Sequence, residues 1–129
     1  MTTRPETDCG IAISVSTRYL QQQSDPVKRN YAFSYTITIT NNRDEPVKLL
    51  SRHWIISTDN DHVEEVKGKG VVGLQPIIEP GGSFQYSSGT VIGSEIGDMR
   101  GGYTMQSSNG ETFEAPIPLF VLALPHMIH

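Results

Sequence analysis

The sequence of 129 residues has a single cysteine and no long hydrophobic run. Because Cys9 has no second cysteine in the chain to pair with, an intrachain disulfide is excluded. The longest apolar run, residues 119–124, is far shorter than the ~20 residues that a membrane-spanning helix needs. The first ten residues also lack the apolar centre of a secretory signal. We therefore expect a cytoplasmic protein that does not bind or span a membrane.

Basic residues are too few for broad attraction to nucleic acid. The chain carries 10 Lys and Arg against 14 Asp and Glu, a net charge of −4, so we expect no nucleic-acid partner. A local basic patch is compatible with this balance, since Arg52, Lys67 and Lys69 would meet if their segments lie side by side. The alternative is that they are ordinary solvated side chains on a sheet surface.

Helical periodicity is absent, and strict alternation takes its place. The clearest strand is 31–40, where large apolar side chains alternate with small hydroxylated ones. Residues 11–15 alternate in the same way. The segment 49–73 predicts a strand, a turn and a second strand. The first of these has apolar residues on both faces around Trp54, the only tryptophan, which predicts a central strand covered on two sides.

Turn-forming residues divide the predicted strands. The run 58–62, TDNDH, predicts a chain reversal, because its side chains bond their own backbone and tolerate positive φ. Pro80-Gly81 suits the two central positions of a type II turn. Asn109-Gly110 predicts a hairpin. Because proline has no amide donor, Pro116 and Pro118 place the last strand at a sheet edge or in a bulged segment.

About eight short strands separated by turns predict an all-β fold, an antiparallel two-sheet β-sandwich of immunoglobulin-like or fibronectin type III-like type. A small barrel is the alternative. The length fits one domain over residues 10–124, with a flexible N-terminus over 1–9 and a flexible C-terminal tail over 125–129. Tyr86 is the candidate for a tyrosine that ties down a corner between sheets, and an ordinary core tyrosine is the alternative.

Three glycines in the run GKGVVG, Gly68, Gly70 and Gly73, match the spacing of the dinucleotide-binding fingerprint. That fingerprint needs a helix directly after it, and Pro76 disfavours a helical conformation at Gln75. The favoured interpretation is therefore a bulge or a close backbone approach in an antiparallel sheet. The alternative is an anion or pyrophosphate site built from loop amides and basic side chains. Its candidate residues are Arg52, Lys67, Gly68, Lys69, Gly70 and Gly73.

No pattern predicts catalysis or a metal site. The acidic run 59–65 lacks the glycine and glutamate positions of a calcium loop, and a solvated hairpin tip is the better interpretation. The four histidines lack the close pairing of a zinc site. Cys9 lies in a segment that supplies neither an activating base nor a pocket. We expect no catalytic residue, no metal and no cofactor.

The order of short motifs along the chain resembles the ApaG family, from Tyr19 almost to the end. The motifs are Arg52-His53-Trp54 followed by Ile55-Ile56, then residues 65–73 (EVKGKGVVG), Gln75-Pro76, Pro80-Gly81, residues 86–90 (YSSGT), residues 97–101 (GDMRG), Tyr103, Phe113 and residues 117–120 (IPLF). The chain departs from the family at Asp61, where members often have glycine in the hairpin turn.

The resemblance implies a fibronectin-like β-sandwich with no established enzymatic activity. Bacterial members are associated with cobalt tolerance and magnesium efflux, and they are often encoded beside a diadenosine tetraphosphate hydrolase. Related domains in eukaryotic F-box proteins and in a polymerase-delta-interacting protein imply a protein-binding module. The glycine triplet of the family has been discussed as a pyrophosphate site.

Three functions follow as hypotheses. The first is a non-enzymatic module for protein–protein interaction with an unidentified protein partner. The second is a binder of a phosphate-bearing small molecule, pyrophosphate or a nucleotide such as diadenosine tetraphosphate, through the loop from Gly68 to Gly73. A phosphohydrolase is the least supported of the three.

Overall fold

The computed structural model describes residues 9–59 and 61–127, and this part of the chain forms eight β-strands. They are β1 Ile11–Tyr19, β2 Tyr31–Asn41, β3 Val47–Thr58, β4 Val63–Lys69, β5 Ile77–Ile78, β6 Ser83–Ile92, β7 Ile96–Ser107 and β8 Thr112–Ala123. The helical elements of these residues are three short 3₁₀ helices, Gln21–Gln23, Pro26–Lys28 and Pro125–Met127. No helix in this part of the chain could span a membrane.

The strands form two antiparallel sheets. Sheet I has the order β1-β2-β6, and sheet II has the order β4-β3-β7-β8 with the short β5 also paired to β3. On one side of the sandwich β1 packs beside β8. On the other side lie the edge strands β4 and β6, which the segment 70–82 connects. The predicted two-sheet sandwich is confirmed, and the barrel alternative is wrong because the two sheets are separate.

The core lies between the sheets and is built by the alternation of β2 and its neighbours. The large side chains of β2, Tyr31 to Ile39, are buried at every second position. Tyr35 from sheet I packs edge-on against Trp54 of sheet II, with ring centroids 5.5 Å apart. Trp54 in turn meets Phe120 at 5.7 Å and Tyr103 at 6.4 Å. This aromatic cluster joins the two layers.

A β-bulge in β3 corrects one prediction. The register of β3 against β7 shifts between Leu49 and Ser51, so Leu49 and Trp54 both face the core although their numbers differ in parity. The central position of β3 is confirmed. No further sheet of the described residues covers its second face. The bulge explains why buried apolar residues of β3 occur at both odd and even positions.

The predicted turns and the predicted last strand are confirmed. Gly81 has φ of 76°, and the Gly82 amide donates to the Glu79 carbonyl at 2.8 Å, as a type II turn requires. Asp61 has φ of 57° in the β3–β4 connection. β8 is an edge strand, and its register against β7 shifts between Met99 and Gly101, opposite Pro118.

The domain bounds of 10–124 stay a prediction. Residues 1–8 and 128–129 of the predicted flexible ends lie outside the described residues. Within those ends, the Cys9 carbonyl accepts a hydrogen bond from Arg43 Nη1 at 2.9 Å, and Pro125–Met127 forms a 3₁₀ helix.

Candidate functional site

The structure brings most of the predicted anion-site residues together beside the open edge of sheet II. Arg52 on β3 lies opposite Gly68 on β4, and the chain then runs through Lys69 into the loop that contains Gly70 and Gly73. Lys67 is separate. It pairs with His53 on the outer face of the sheet, so it does not line the cavity beside Gly73.

The Arg52 guanidinium occupies the space that Gly68 leaves open. A Cβ at Gly68 would lie 2.7 Å from Arg52 Cζ. From this position Arg52 Nη1 donates to the Gly70 carbonyl at 2.8 Å and to the Lys69 carbonyl at 3.3 Å. Gly68 therefore permits a close approach, as predicted, and Arg52 ties β3 to the start of the loop.

The second half of the glycine run is a tight turn and not the start of a helix. Gly70 has φ of 65°, and a Cβ there would lie 2.2 Å from the Leu74 carbonyl oxygen. Val71 and Leu74 exchange two backbone hydrogen bonds of 2.8 Å around Val72 and Gly73, which both have positive φ, as in a type I′ turn. The next regular element is strand β5, so the dinucleotide-binding context is absent from this segment.

A cavity of about 280 Å³ opens between this turn and the edge of sheet I. Arg52 and Lys69 line it from sheet II, Val72 and Gly73 from the turn, and Ser88 from β6. The amides of Gly70 and Val71 donate to backbone carbonyls, whereas the amides of Val72 and Gly73, two residues that line the cavity, have no backbone acceptor among the described residues. The Arg52 guanidinium, a hydroxyl and two amides can hold a small anion.

A pair of tyrosines behind this cavity was not predicted from the sequence. The hydroxyls of Tyr86 on β6 and Tyr103 on β7 hydrogen-bond to each other at 2.5 Å, and both side chains are buried. Burial raises the pKa of Tyr86 to about 12. Burial, with Tyr86 beside it, also raises the pKa of Tyr103 above its ordinary range. The predicted tyrosine corner is wrong, because the Tyr86 hydroxyl bonds a side chain of the other sheet and not the backbone.

The acidic run does not converge on one point. Glu64 and Glu65 are adjacent on β4 and point to opposite faces, and Glu65 meets His53 Nε2 at 2.5 Å on the outer face of sheet II. Across residues 9–59 and 61–127, no group of three or more acidic, histidine or cysteine side chains is placed to hold a metal ion. The described residues of this hairpin tip, 61–65, are exposed to solvent.

The outer face of sheet II is a second candidate surface, which the sequence did not reveal. The strand register puts Val63, Ser57, Asp98 and Val121 in one row across β4, β3, β7 and β8. Leu119 projects beside the bulge of β8. Val63, Leu119 and Val121 are 57%, 55% and 50% exposed.

Charged groups lie between and beside these aliphatic side chains. Arg100 Nη1 lies 3.6 Å from Asp98 Oδ1 in the centre of the face, beside the half-buried Ile55. Towards the other end, Lys69, Ser51, Thr104 and Glu114 form another cross-strand row. The hydroxyl of Thr104 donates to Glu114 Oε2 at 2.9 Å. The face thus has apolar groups on its two outer strands and a charged pair between them.

Comparison with known proteins places the chain in a family. The family model for the ApaG domain matches residues 21–107. The chain is 54% identical to Protein ApaG of Ectopseudomonas mendocina over 92% of this chain and 94% of the relative, and 50% identical to Protein ApaG of Ralstonia nicotianae over 92% and 96%. A structural-genomics target solved by X-ray crystallography superimposes with a TM-score of 0.89 at 48% identity, covering 95% of this chain and 92% of that one. The chain belongs to the ApaG domain family.

Proposed function

We propose that the chain is a non-enzymatic protein-binding module whose binding surface is the outer face of sheet II. The observation that carries this proposal is the exposure of Val63, Leu119 and Val121 on one sheet face. Exposed aliphatic groups that lie among charged residues are typical of protein interaction sites, because the apolar groups supply affinity and the charges supply specificity.

The charges of this face indicate what kind of partner fits it. Asp98 and Arg100 pair with each other at the centre, and His53 pairs with Glu65, so these four groups offer little free charge. Lys67 and Lys69 stand at one end of the face without an ion pair among the described residues. A protein surface with aliphatic groups towards its two sides and acidic groups at one end would match this arrangement.

The cellular role that we propose follows from the family. We place the protein in the cytoplasm and propose that it supports cobalt tolerance and magnesium efflux by binding a protein partner, with no cofactor, nucleic acid or membrane involved. Its glycine loop and its hydroxyl pairs serve the fold in this proposal, and no residue acts catalytically.

Photo-cross-linking tests the binding surface. We would place a photoreactive phenylalanine analogue at Leu119 and, as the matched control, at Ser14, which is exposed on the outer face of sheet I. The proposal predicts a discrete adduct with one protein at Leu119 that is absent at Ser14. It also predicts that Leu119→Glu removes the adduct formed from a probe at Val121. Equal adducts from Leu119 and Ser14, or none from Leu119, would refute it.

We propose anion binding at the glycine loop as the alternative function. The specific observation that favours it is the convergence of Arg52, Gly73 and Ser88 on a cavity of about 280 Å³ beside the type I′ turn. Nη1 of Arg52 is engaged by two carbonyls, while Nη2 and Nε have no hydrogen-bond partner within the described chain. A pyrophosphate group fits this donor set, and the adenosines of diadenosine tetraphosphate would extend outside.

Titration followed by NMR tests this alternative. We would add pyrophosphate or diadenosine tetraphosphate and follow the amide signals of residues 67–73. Binding in the cavity predicts saturable shifts that Arg52→Met removes, and Lys67→Met is the control because Lys67 lies on the other face. The alternative is wrong if these signals do not shift, or if both variants weaken binding equally, since that result indicates general attraction to positive charge.

A further inference from the structure

Strand β6 is a free sheet edge without the usual protection. Its ten residues, Ser83–Ile92, include no charged residue and no proline, and no strand of the described chain pairs with its outer side. The other edges are protected. β4 carries four charged residues in seven positions, β8 contains two prolines and a bulge, and β1 packs beside β8. Proteins use such devices to prevent edge-to-edge pairing, and β6 lacks them.

The hydrogen-bond pattern shows which backbone groups of β6 are unpaired. The Asn41 amide donates to the Gly82 carbonyl at 2.9 Å, so Thr40 and Ser83 face each other as a non-hydrogen-bonded pair. The even-numbered residues of β6 therefore form the backbone hydrogen bonds with β2. The odd-numbered residues direct their amides and carbonyls away from the sheet, and they are Ser83, Gln85, Ser87, Gly89 and Val91.

The side chains of these residues leave the edge open. Ser87 Oγ bonds Thr36 Oγ1 at 2.7 Å, Ser83 Oγ bonds Thr40 Oγ1 at 2.9 Å, and Gln85 Nε2 donates to Thr38 Oγ1 at 2.9 Å. All three side chains therefore point towards β2 and away from the open edge. Gly89 has no side chain, so the backbone at the centre of the edge is accessible to another strand.

We propose that β6 pairs with β6 of a second copy of this chain, antiparallel, around a two-fold axis at Ser87. In this register Ser87 faces Ser87 of the second copy, Gln85 faces Gly89, and Ser83 faces Val91. All five outward-facing residues then exchange backbone hydrogen bonds with the second copy. A register shifted by two residues in either direction would leave such groups unpaired at both ends.

The sequence of the edge favours a second copy over a strand of another protein. The two-fold register places no charge opposite a charge, and it brings only serine side chains together at the axis. A hydrogen-bonded edge contact buries little apolar surface, so we expect a dissociation constant of about 10–100 µM. The dimer would join two copies of sheet I and leave both outer faces of sheet II free, which gives two binding surfaces to one assembly.

This inference concerns a different surface from that of the proposed function. A test of one proposal therefore does not decide the other.

Sedimentation velocity from about 10 µM to about 1 mM tests the pairing of β6. The wild-type chain is expected to change from monomer to dimer over this range. Ser87→Lys places two like charges opposite each other at the axis, so it should weaken the dimer at least about tenfold. The matched control is Ser14→Lys, which adds the same charge to an exposed serine of the same sheet and should leave the dimer unchanged.

A charge exchange tests the register itself. An equimolar mixture of the Ser87→Lys and Ser87→Glu variants should dimerise more strongly than either variant alone, because opposite charges then meet at the axis. Each variant is measured alone and in the mixture, so an effect of the substitution on folding is the same in both measurements. The proposal is overturned if the wild-type chain stays monomeric at about 1 mM, if Ser14→Lys weakens the dimer as much as Ser87→Lys, or if the mixture gains nothing.

Discussion

β4 and β6 are both free sheet edges on the same side of the sandwich, and they differ most in charge. β4 has four charged residues in seven positions, and β6 has none in ten. The hydrogen bond from the Gly70 amide to the Leu50 carbonyl places the outward backbone groups of β4 at Val63, Glu65, Lys67 and Lys69. Three of these residues carry a charged side chain beside the unpaired backbone. We therefore expect the two edges to differ in association although both expose backbone groups.

The same difference extends to the two whole sheets. The strands of sheet I contain one charged residue, Arg18. The strands of sheet II contain nine, which are Lys48, Arg52, Glu64, Glu65, Lys67, Lys69, Asp98, Arg100 and Glu114. On the outer face of the neutral sheet, hydroxyl groups hydrogen-bond to each other in pairs, such as Thr36 with Ser87. A charged sheet can discriminate between partners, and this is consistent with the proposals of partner recognition by sheet II and self-pairing by sheet I.

The aromatic contact between the sheets is expected to give the largest effect. Trp54→Ala removes a buried ring that packs on Tyr35 of sheet I and on Phe120 of sheet II, so we expect a loss of about 3–5 kcal/mol in the free energy of unfolding. Ile55→Ala, on the outer face of the same strand, is the control and should cost about 1 kcal/mol. Urea denaturation measures both. Equal losses would contradict the placement of the core.

The loop that connects sheet II to sheet I should be sensitive at Gly70 and less sensitive at Gly73. A methyl group at Gly70 would meet the Leu74 carbonyl at 2.2 Å, whereas nothing lies within 4 Å of the same position at Gly73. Both glycines have positive φ, which alone costs about 1–2 kcal/mol for alanine. We expect about 3 kcal/mol for Gly70→Ala. Thermal unfolding of the two variants would contradict this account if Gly73→Ala were the more damaging.

The tyrosine pair across the sheets predicts a loss of stability at alkaline pH. The pKa of Tyr86 rises from about 10 in the unfolded chain to about 12 in the fold, so the folded protein holds its proton more tightly. This stabilisation is complete below pH of about 10 and is lost as pH rises towards about 12, by up to about 1.4 kcal/mol per pH unit for each buried tyrosine.

Denaturation at several pH values, with tyrosinate absorbance as the second readout, measures this loss. The double variant Tyr86→Phe with Tyr103→Phe removes both hydroxyls and keeps both rings, so its stability should change less between pH of about 10 and about 12. A parallel decline in the wild-type chain and the double variant would show that other groups cause it.

Substitution of Val72 should give the smallest change in the free energy of unfolding, and it should be an increase. Val72 is a β-branched residue with φ of 43° and an exposed side chain, so its conformation is strained without compensation from packing. Val72→Asn should stabilise the protein by about 0.5–1 kcal/mol, since asparagine tolerates this conformation. The matched control is Val91→Asn, at a similarly exposed valine in strand β6, which should not stabilise. Loss of stability at Val72 would indicate that its side chain has a packing role.

Local patterns predicted the strands and turns, because alternation and turn chemistry act over a few residues. The strand 31–40, the Pro80-Gly81 turn and the bulged edge around Pro118 follow from the residues themselves. The bulge at Leu50 could not be predicted. It arises from the register of β3 against β7, two strands that are about 50 residues apart in the chain.

The site was only partly predictable for the same reason. The sequence grouped Arg52 with the glycine run, and the structure places its guanidinium over Gly68. Nothing local showed that Lys67 and Lys69 face the outer side of the sheet, away from Arg52, since facing depends on how the strand is paired. The cross-strand row that ends in the exposed Val63 and Val121 requires four strands in a known order, and strand order is a property of the whole fold.

Amide hydrogen exchange at low and high protein concentration tests the difference between the two edges most directly. The account predicts that the outward amides of Gln85, Ser87 and Gly89 become protected as concentration rises from about 10 µM to about 1 mM, while those of Glu65 and Lys67 do not change. Protection that grows on β4, or an absence of change on β6, would contradict the division of roles between the neutral and the charged sheet.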